Sequence, residues 1–260
     1  MTGFNVPIRL DLHWARIVER LRASRRIVLF LDFDGTLARM RPRPHLARIA
    51  PTTRQALRRL ARHPRINIVV ISGRRRADVQ RRVGVRAIQY LGLYGNEDER
   101  PMQIDTASAA ALHRVRTALT SHVEGVPGVW LEDKEVSLAV HLRDARPEVA
   151  VRVLRELRAL VRAHRPRLGM LENLRDVEVV PREVGDKGTV VRRMLAQPDW
   201  RGALALYFGD DLSDEPAFAA VRRGVAVLVA PVRPTRAQYV VDGTTQVAAC
   251  LRHMETALHA

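Results

Sequence analysis

The chain has 260 residues, 47% of them hydrophobic and 28% charged, which supports a packed core in one large domain or two modest ones at roughly 150 residues per domain. No apolar run approaches the ~18 residues of a spanning helix, and the first residues lack the basic-then-apolar pattern of a secretory signal, so a cytoplasmic protein is expected. The net charge of +16 is spread from Arg9 to Arg252, and aromatics at 5% are too sparse for base-stacking platforms, so an anionic small-molecule substrate is favoured over specific nucleic-acid binding.

Apolar residues at Leu10, Trp14, Ile17, Val18 and Leu21 follow one helix face. The continuous run Ile27–Leu31 suits a strand buried on both faces of a parallel sheet. A helix over 52–62 follows a loop marked by Pro42, Pro44 and Pro51, then a second buried strand, Ile66–Ile71, ends in Ser72-Gly73. Further strands are expected at Ile88–Tyr94, Leu204–Phe208 and Val225–Val229. Strands alternating with helices, several ending directly in Gly, Asp or Ser, describe an α/β fold with an open parallel sheet. In such sheets, ligands sit beyond the carboxyl ends of the strands. The middle, residues 101–180, differs. Helical patterns near 107–123 and 146–164 alternate with short strand candidates at 129–133, 136–142 and 176–180, which predicts a small α/β unit inserted into the sheet domain. The expected organisation is therefore a core of residues 1–100 and 181–260 and an insertion of 101–180, with re-entry marked by Pro181 and Gly185. The lone Cys250 excludes an internal disulfide and reads as a small buried hydrophobe.

Two carboxylates, Asp32 and Asp34, stand two residues apart directly after the first buried strand. Like charges so placed repel unless a cation lies between them, and an aspartate at a strand end can serve as a covalent nucleophile. Gly35 permits a sharp turn with backbone N–H groups open to an anion. After another buried strand, Gly209-Asp210-Asp211-Leu212-Ser213-Asp214-Glu215 gathers four carboxylates in six positions, which again calls for a metal or a lysine.

The stretch Asp32-Phe33-Asp34-Gly35-Thr36-Leu37 resembles the first motif of the haloacid dehalogenase superfamily of phosphotransferases. Ser72 within Ser72-Gly73-Arg74 resembles the second, Lys187 in Asp186-Lys187-Gly188 the third, and the acidic run from Asp210 the fourth. The resemblance implies a Rossmann-like parallel-sheet core with an inserted α/β cap. It also implies an aspartyl phosphate on Asp32, a phosphoryl-binding hydroxyl on Ser72 and a charge-balancing ammonium on Lys187. Asp34, where the superfamily's ion pumps carry threonine, is the expected general acid/base and argues for a phosphatase or phosphomutase. Magnesium is the expected cofactor, with Asp32, Asp34 (through its carbonyl), Asp210, Asp211 and Asp214 as metal residues and Asp210 ranked first among the last three.

Within that superfamily the chain is similar to the trehalose-6-phosphate phosphatases from about residue 25 to 245. The likeness rests on Gly92-Leu93-Tyr94-Gly95-Asn96-Glu97, Glu132-Asp133-Lys134, His141-Leu142-Arg143 and Glu178-Val179-Val180-Pro181. It implies sugar-hydroxyl contacts at Glu132, Lys134, Arg143 and Glu178, and further substrate contacts at Thr36, Gly73, Arg74, Asn96 and Glu97. Three positions depart from the family: Tyr94 replaces a common histidine, Leu142 a frequent aromatic, and Ser213 a usual threonine. His141 reads as structural. A phosphatase for sucrose phosphate or a glycosyl phosphoglycerate would share every core residue and differ in the insertion. A basic nucleic-acid binder is the remaining alternative. Oligomeric state is not legible.

Overall fold

The computed structural model describes residues 3–41, 43–174 and 176–259; Pro42, one of the loop prolines, lies outside them. The chain divides into two compact units, Met1–Glu99 with Asp186–Ala260, and Arg100–Gly185. No described helix is long and apolar enough to cross a membrane.

In chain order the first unit opens with β1 (Ile8–Arg9), α1 (Trp14–Ala23), β2 (Ile27–Leu31), α2 (Pro51–Leu60), β3 (Ile66–Ile71), α3 (Arg76–Val83) and β4 (Gln89–Leu91). The inserted unit holds α4 (Thr106–Val123), β5 (Trp130–Asp133), β6 (Leu138–His141), α5 (Pro147–Ala163), β7 (Leu168–Glu172) and β8 (Asp176–Pro181). The first unit then resumes with α6 (Lys187–Leu195), β9 (Leu204–Gly209), α7 (Glu215–Ala220), β10 (Val225–Val229), β11 (Tyr239–Val241) and α8 (Thr244–His259).

The core sheet has the order β1-β11-β10-β9-β2-β3-β4, and every neighbouring pair is parallel. Alternate residues of β2 belong to different cores. Ile27, Leu29 and Leu31 pack with residues of α1, α2, α3 and α8, whereas Val28 and Phe30 pack with residues of α6 and α7. A strand covered on both faces must be apolar at every position, hence the unbroken run in the sequence. Chain order reverses beside β2, so the carboxyl ends of β2 and β9 border the crevice in which open α/β sheets bind ligands.

Several elements differ from expectation. Pro51 starts α2 rather than marking a loop, as proline's fixed φ and missing N–H suit a first helical position. The strand expected to reach Tyr94 stops at Leu91. Beyond it Leu93 (φ 49°) and Tyr94 (φ 60°) both adopt the left-handed conformation, a cost of order 1–3 kcal/mol each for non-glycine residues. The Leu93 and Tyr94 N–H groups donate to the carbonyls of Arg74 and Ser72 at 2.9 Å each. The turn thus braces the loop after β3.

The inserted unit is a four-stranded antiparallel sheet, β5-β6-β8-β7. Leu138, Val140, Val177 and Val179 pack against Leu112, Val115 and Leu119 of α4 and Val153 and Leu157 of α5. The period of two sends Glu132, Ala139 and Glu178, which are in register with one another, to the other face, together with His141, which is in register with Trp130 and Asp176.

Candidate active site

Asp32 follows β2 directly, and its N–H donates to the Phe208 carbonyl of β9 at 2.9 Å, which pins it at the carboxyl edge of the sheet. Lys187, the first residue of α6, sends Nζ to Asp32 Oδ1 at 2.6 Å and to Asp214 Oδ1 at 2.7 Å. Gly188 lets α6 come this close to α7, because a Cβ there would lie 2.3 Å from the Pro216 carbonyl oxygen. Asp214 is fully buried and saturated. Its Oδ1 also accepts from the Tyr207 hydroxyl at 2.7 Å, and its Oδ2 accepts from the N–H groups of Asp210 and Asp211 at 3.0 Å each. Four donors occupy the four lone-pair sites of a carboxylate.

Asp210 is the contrasting member. Its carboxylate accepts no hydrogen bond among the described residues, and it lies hard against Gly35, where an added Cβ would sit 1.9 Å from Asp210 Oδ2. Gly35 at φ 82° therefore serves twice, in backbone conformation and in close approach. Burial pushes the Asp32 carboxyl up to about 8 against the pull of Lys187. Desolvation and the charges of Asp32 and Asp214 raise Asp210 well above the carboxylate range. Burial disfavours the Lys187 ammonium, but Asp214 and Asp32 outweigh it and keep it protonated. Oxygens of Asp32, Asp210 and Asp214 lie within 4.8 Å of one another, so three acidic groups share one ammonium. This arrangement asks for a proton or a cation, and its hard oxygen donors fit a divalent ion. Asp32 and Asp210 carry the open valence. Asp211 caps the turn that leads into α7, accepting from the Leu212 N–H, which favours a structural part for it.

Asp34 faces elsewhere. Arg74 grips it with a two-pronged contact, Nε to Oδ2 at 2.7 Å and Nη2 to Oδ1 at 2.8 Å. Both side chains of the expected pair are thus near the strand ends, but Arg74 is committed to Asp34 rather than presented to a substrate. Ser72 is buried at the end of β3, and its Oγ accepts from the Arg74 N–H at 3.2 Å. Gly73 lies against the Tyr94 ring, whose Cζ would be 3.0 Å from a Cβ added at Gly73. Thr36 is fully buried, with no hydrogen-bond partner for Oγ1. Glu97 accepts from the Arg76 N–H at 2.6 Å and pairs with Arg75 at 3.2 Å, so its carboxylate secures the start of α3. Asn96 Nδ2 closes the same turn onto the Leu93 carbonyl at 2.8 Å.

In the inserted unit, Glu178 is almost fully buried and accepts from Lys134 Nζ at 2.7 Å and from the Ser137 hydroxyl. Burial disfavours the Lys134 charge, but Glu178, with Glu132 beyond it, raises it above the ordinary ammonium value. His141 meets Glu132 at 2.9 Å and Asp176 at 3.7 Å, and it stacks on Trp130 with ring centroids 3.6 Å apart. Arg143 is half-buried in the turn after β6. Two contributors escaped the sequence reading. Tyr207 lies in β9, which is buried at every position, so no periodicity marks its hydroxyl, whereas Asp78 in the first turn of α3 has Arg81 and Arg82 at helical spacing, a signal in the sequence, and gains Arg74 only in the fold.

A trehalose-phosphatase family profile matches residues 30–245. A maize trehalose 6-phosphate phosphatase is 29% identical over 89% of this chain and 70% of its own length. A trehalose-phosphate phosphatase from Mycobacterium avium is 36% identical over 80% of this chain, and one from Mycobacterium tuberculosis 34% over 86%. The chain spans only 55% and 60% of those two mycobacterial relatives. The fold is shared with the C-terminal domain of Candida albicans trehalose-6-phosphate phosphatase at a TM-score of 0.84, with 21% identity and coverage of 98% of this chain and 99% of that one. A Synechocystis sucrose-phosphatase shares it at 0.54, with 17% identity and coverage of 90% and 98%. With the motif residues gathered at the strand ends and the profile spanning both halves of the core and the insertion between them, the chain belongs to the trehalose-phosphatase family.

Proposed function

We propose that this chain is a magnesium-dependent cytoplasmic phosphatase that hydrolyses trehalose 6-phosphate to trehalose and phosphate through an aspartyl phosphate on Asp32. The observation that carries the reading is Lys187 bonded to both Asp32 and Asp214 beside the open carboxylate of Asp210. The names of the relatives supply the sugar.

An Asp32 oxygen attacks phosphorus, and the bond from phosphorus to the sugar oxygen breaks as Asp34 protonates the departing alkoxide. Water then attacks the phosphorus and gives its proton to Asp34, and the bond to Asp32 breaks, which restores the carboxylate. Lys187 holds Asp32 in place and offsets negative charge around the phosphoryl group. Asp32 and Asp210 would hold the metal, which when bound supplies electrostatic stabilisation of phosphoryl oxygens. Ser72 is assigned to a phosphoryl oxygen, and Glu132, Lys134, Arg143 and Glu178 on the inserted unit to sugar hydroxyls.

The test is phosphate release from trehalose 6-phosphate, sucrose 6-phosphate, a glycosyl phosphoglycerate and glucose 6-phosphate, each with and without magnesium. The expected result is metal-dependent turnover with the highest kcat/KM on trehalose 6-phosphate. A higher value on another sugar phosphate reassigns the substrate, and no release on any of them defeats the reading.

A further inference from the structure

Asp34 must give a proton to one oxygen and later take one from another, at nearly one place, so something has to hold its carboxylate. Arg74 does so with two parallel bonds, the geometry in which a guanidinium fixes the plane of a carboxylate. Each oxygen keeps a lone pair for the proton. What holds Arg74 is then the next question.

Four of its five N–H donors are used. Beyond the two to Asp34, Nη2 donates to the Pro44 carbonyl at 2.7 Å and Nη1 to Asp78 Oδ2 at 2.9 Å. The guanidinium also lies 5.3 Å from the centroid of the Phe33 ring, the residue between the two motif aspartates. Asp78 is itself a hub. It accepts from Arg82 Nε at 2.7 Å and from Arg81 at 2.9 Å, while Arg82 Nη1 reaches the carbonyls of His45 and Ala47 at 3.0 and 2.9 Å. The first turn of α3 is thereby tied both to the loop after the first motif and, through Arg74, to Asp34. The Arg74, Asp78 and Arg82 side chains are only 13%, 22% and 16% exposed, so the geometry is held away from bulk water.

We propose that Asp78 is a positioning residue for the general acid/base: it fixes Arg74, which in turn sets the orientation of Asp34. The inference rests on the phosphatase reading and assigns Asp78 a part in one half-step, the protonation of the leaving group. That half-step can be isolated. An alkyl phosphate such as trehalose 6-phosphate needs a proton on its leaving oxygen, whereas p-nitrophenolate leaves from p-nitrophenyl phosphate unaided. Because kcat/KM reports only events through departure of the leaving group, the two substrates separate the acid function from everything else.

The experiment measures kcat/KM on both substrates for the parent, Asp34→Asn, Asp78→Asn, Arg74→Lys and the Asp34→Asn/Asp78→Asn pair, with circular dichroism on each. Asp78→Asn is expected to lose about tenfold on trehalose 6-phosphate, a fraction of the 10²–10⁴-fold value of general acid catalysis, and less than about twofold on p-nitrophenyl phosphate. Arg74→Lys keeps the charge without the fork and should show the same selective loss. This holds the test open should Asp78→Asn fail to fold. In the double variant Asp78→Asn should add nothing beyond Asp34→Asn, as for residues acting as a unit. Equal losses on the two substrates, or losses that multiply in the double variant, overturn the inference. A parent with no alkyl phosphatase activity defeats the functional reading along with it, whereas an active parent with unselective variants defeats this inference alone.

Discussion

Lys187 and Lys134, the two lysines among 44 basic residues, are both buried against carboxylates, yet the clusters they hold are built on opposite plans. In the core unit one ammonium faces Asp32, Asp214 and, nearby, Asp210, with one of the three saturated by hydrogen bonds and one left open. That cluster is short of positive charge. In the inserted unit Lys134 meets Glu178 one to one, and His141 is held between Glu132 and Asp176. That cluster also holds more carboxylates than cations, but each of its acids has a bonded partner and none is left open. A site with an open carboxylate that lacks a cation suits phosphoryl chemistry, and a polar face whose acids are already hydrogen-bonded, with an exposed Trp130 ring, suits neutral hydroxyls. In an arginine-rich chain the compact ammonium persists where a planar guanidinium would not fit between oxygens 2.6 and 2.7 Å away.

The contrast breaks most visibly at Asp32. Asp32→Asn should lower kcat on every phosphate ester by at least about a thousandfold, roughly 4 kcal/mol of barrier, while circular dichroism stays that of the parent. Phosphate release above about a thousandth of the parent rate would rule out the covalent route.

Gly35→Ala comes next. Its Cβ would overlap Asp210 and its φ of 82° is costly for alanine, so the open carboxylate must move. The expected outcome is a loss of about 1–3 kcal/mol in stability and a rise in the magnesium concentration needed for half-maximal turnover. Unchanged metal dependence would mean that Asp210 is not the principal ligand.

The lysines themselves test the two plans side by side. Lys187→Arg should cost about tenfold or more in kcat on all substrates, because a wider group displaces Asp32. Lys134→Arg, Glu132→Ala and Glu178→Ala should raise KM for trehalose 6-phosphate several-fold and leave p-nitrophenyl phosphate within about twofold. Equal losses on both substrates would remove the inserted face from sugar recognition.

The core was legible where burial on both faces leaves no room for polar residues: Ile27–Leu31, Ile66–Ile71 and Val225–Val229 are continuous apolar runs and all are strands. β7 was not, since Gly169 and Met170 carry little strand preference, and β1 and β11 are too short to show a period. Spacing alone pointed to Asp32 and the acidic run, because both are local to strand ends. What spacing could not show is which carboxylate is already satisfied. Asp214 looks like Asp210 in sequence, but only the fold gives it Lys187 and Tyr207 as donors. Arg74 likewise looked available until Asp34, 40 residues earlier, claimed two of its bonds.

The smallest expected effect probes charge rather than catalysis, at the arginine hub of the core unit. Partial burial would raise the Asp78 carboxyl, but Arg82, Arg81 and Arg74 overcome it and hold it down at about 2, against an ordinary 3.8. A carboxyl depressed in the folded state contributes stability that is complete above its unfolded value and disappears as pH falls through its folded one. The Tm difference between the parent and Asp78→Asn should therefore be constant from about pH 7 to 5, narrow between about 4 and 2, and close at the acid end. Arg81 is 75% exposed and contributes little through solvent and salt, so the difference should persist in Arg81→Gln and shrink in Arg82→Gln, whose guanidinium is 16% exposed. A difference undiminished at pH 2 would mean that Asp78→Asn loses the shape of the hydrogen bonds and not only their charge, which would leave Arg74, and with it Asp34, unheld at every pH.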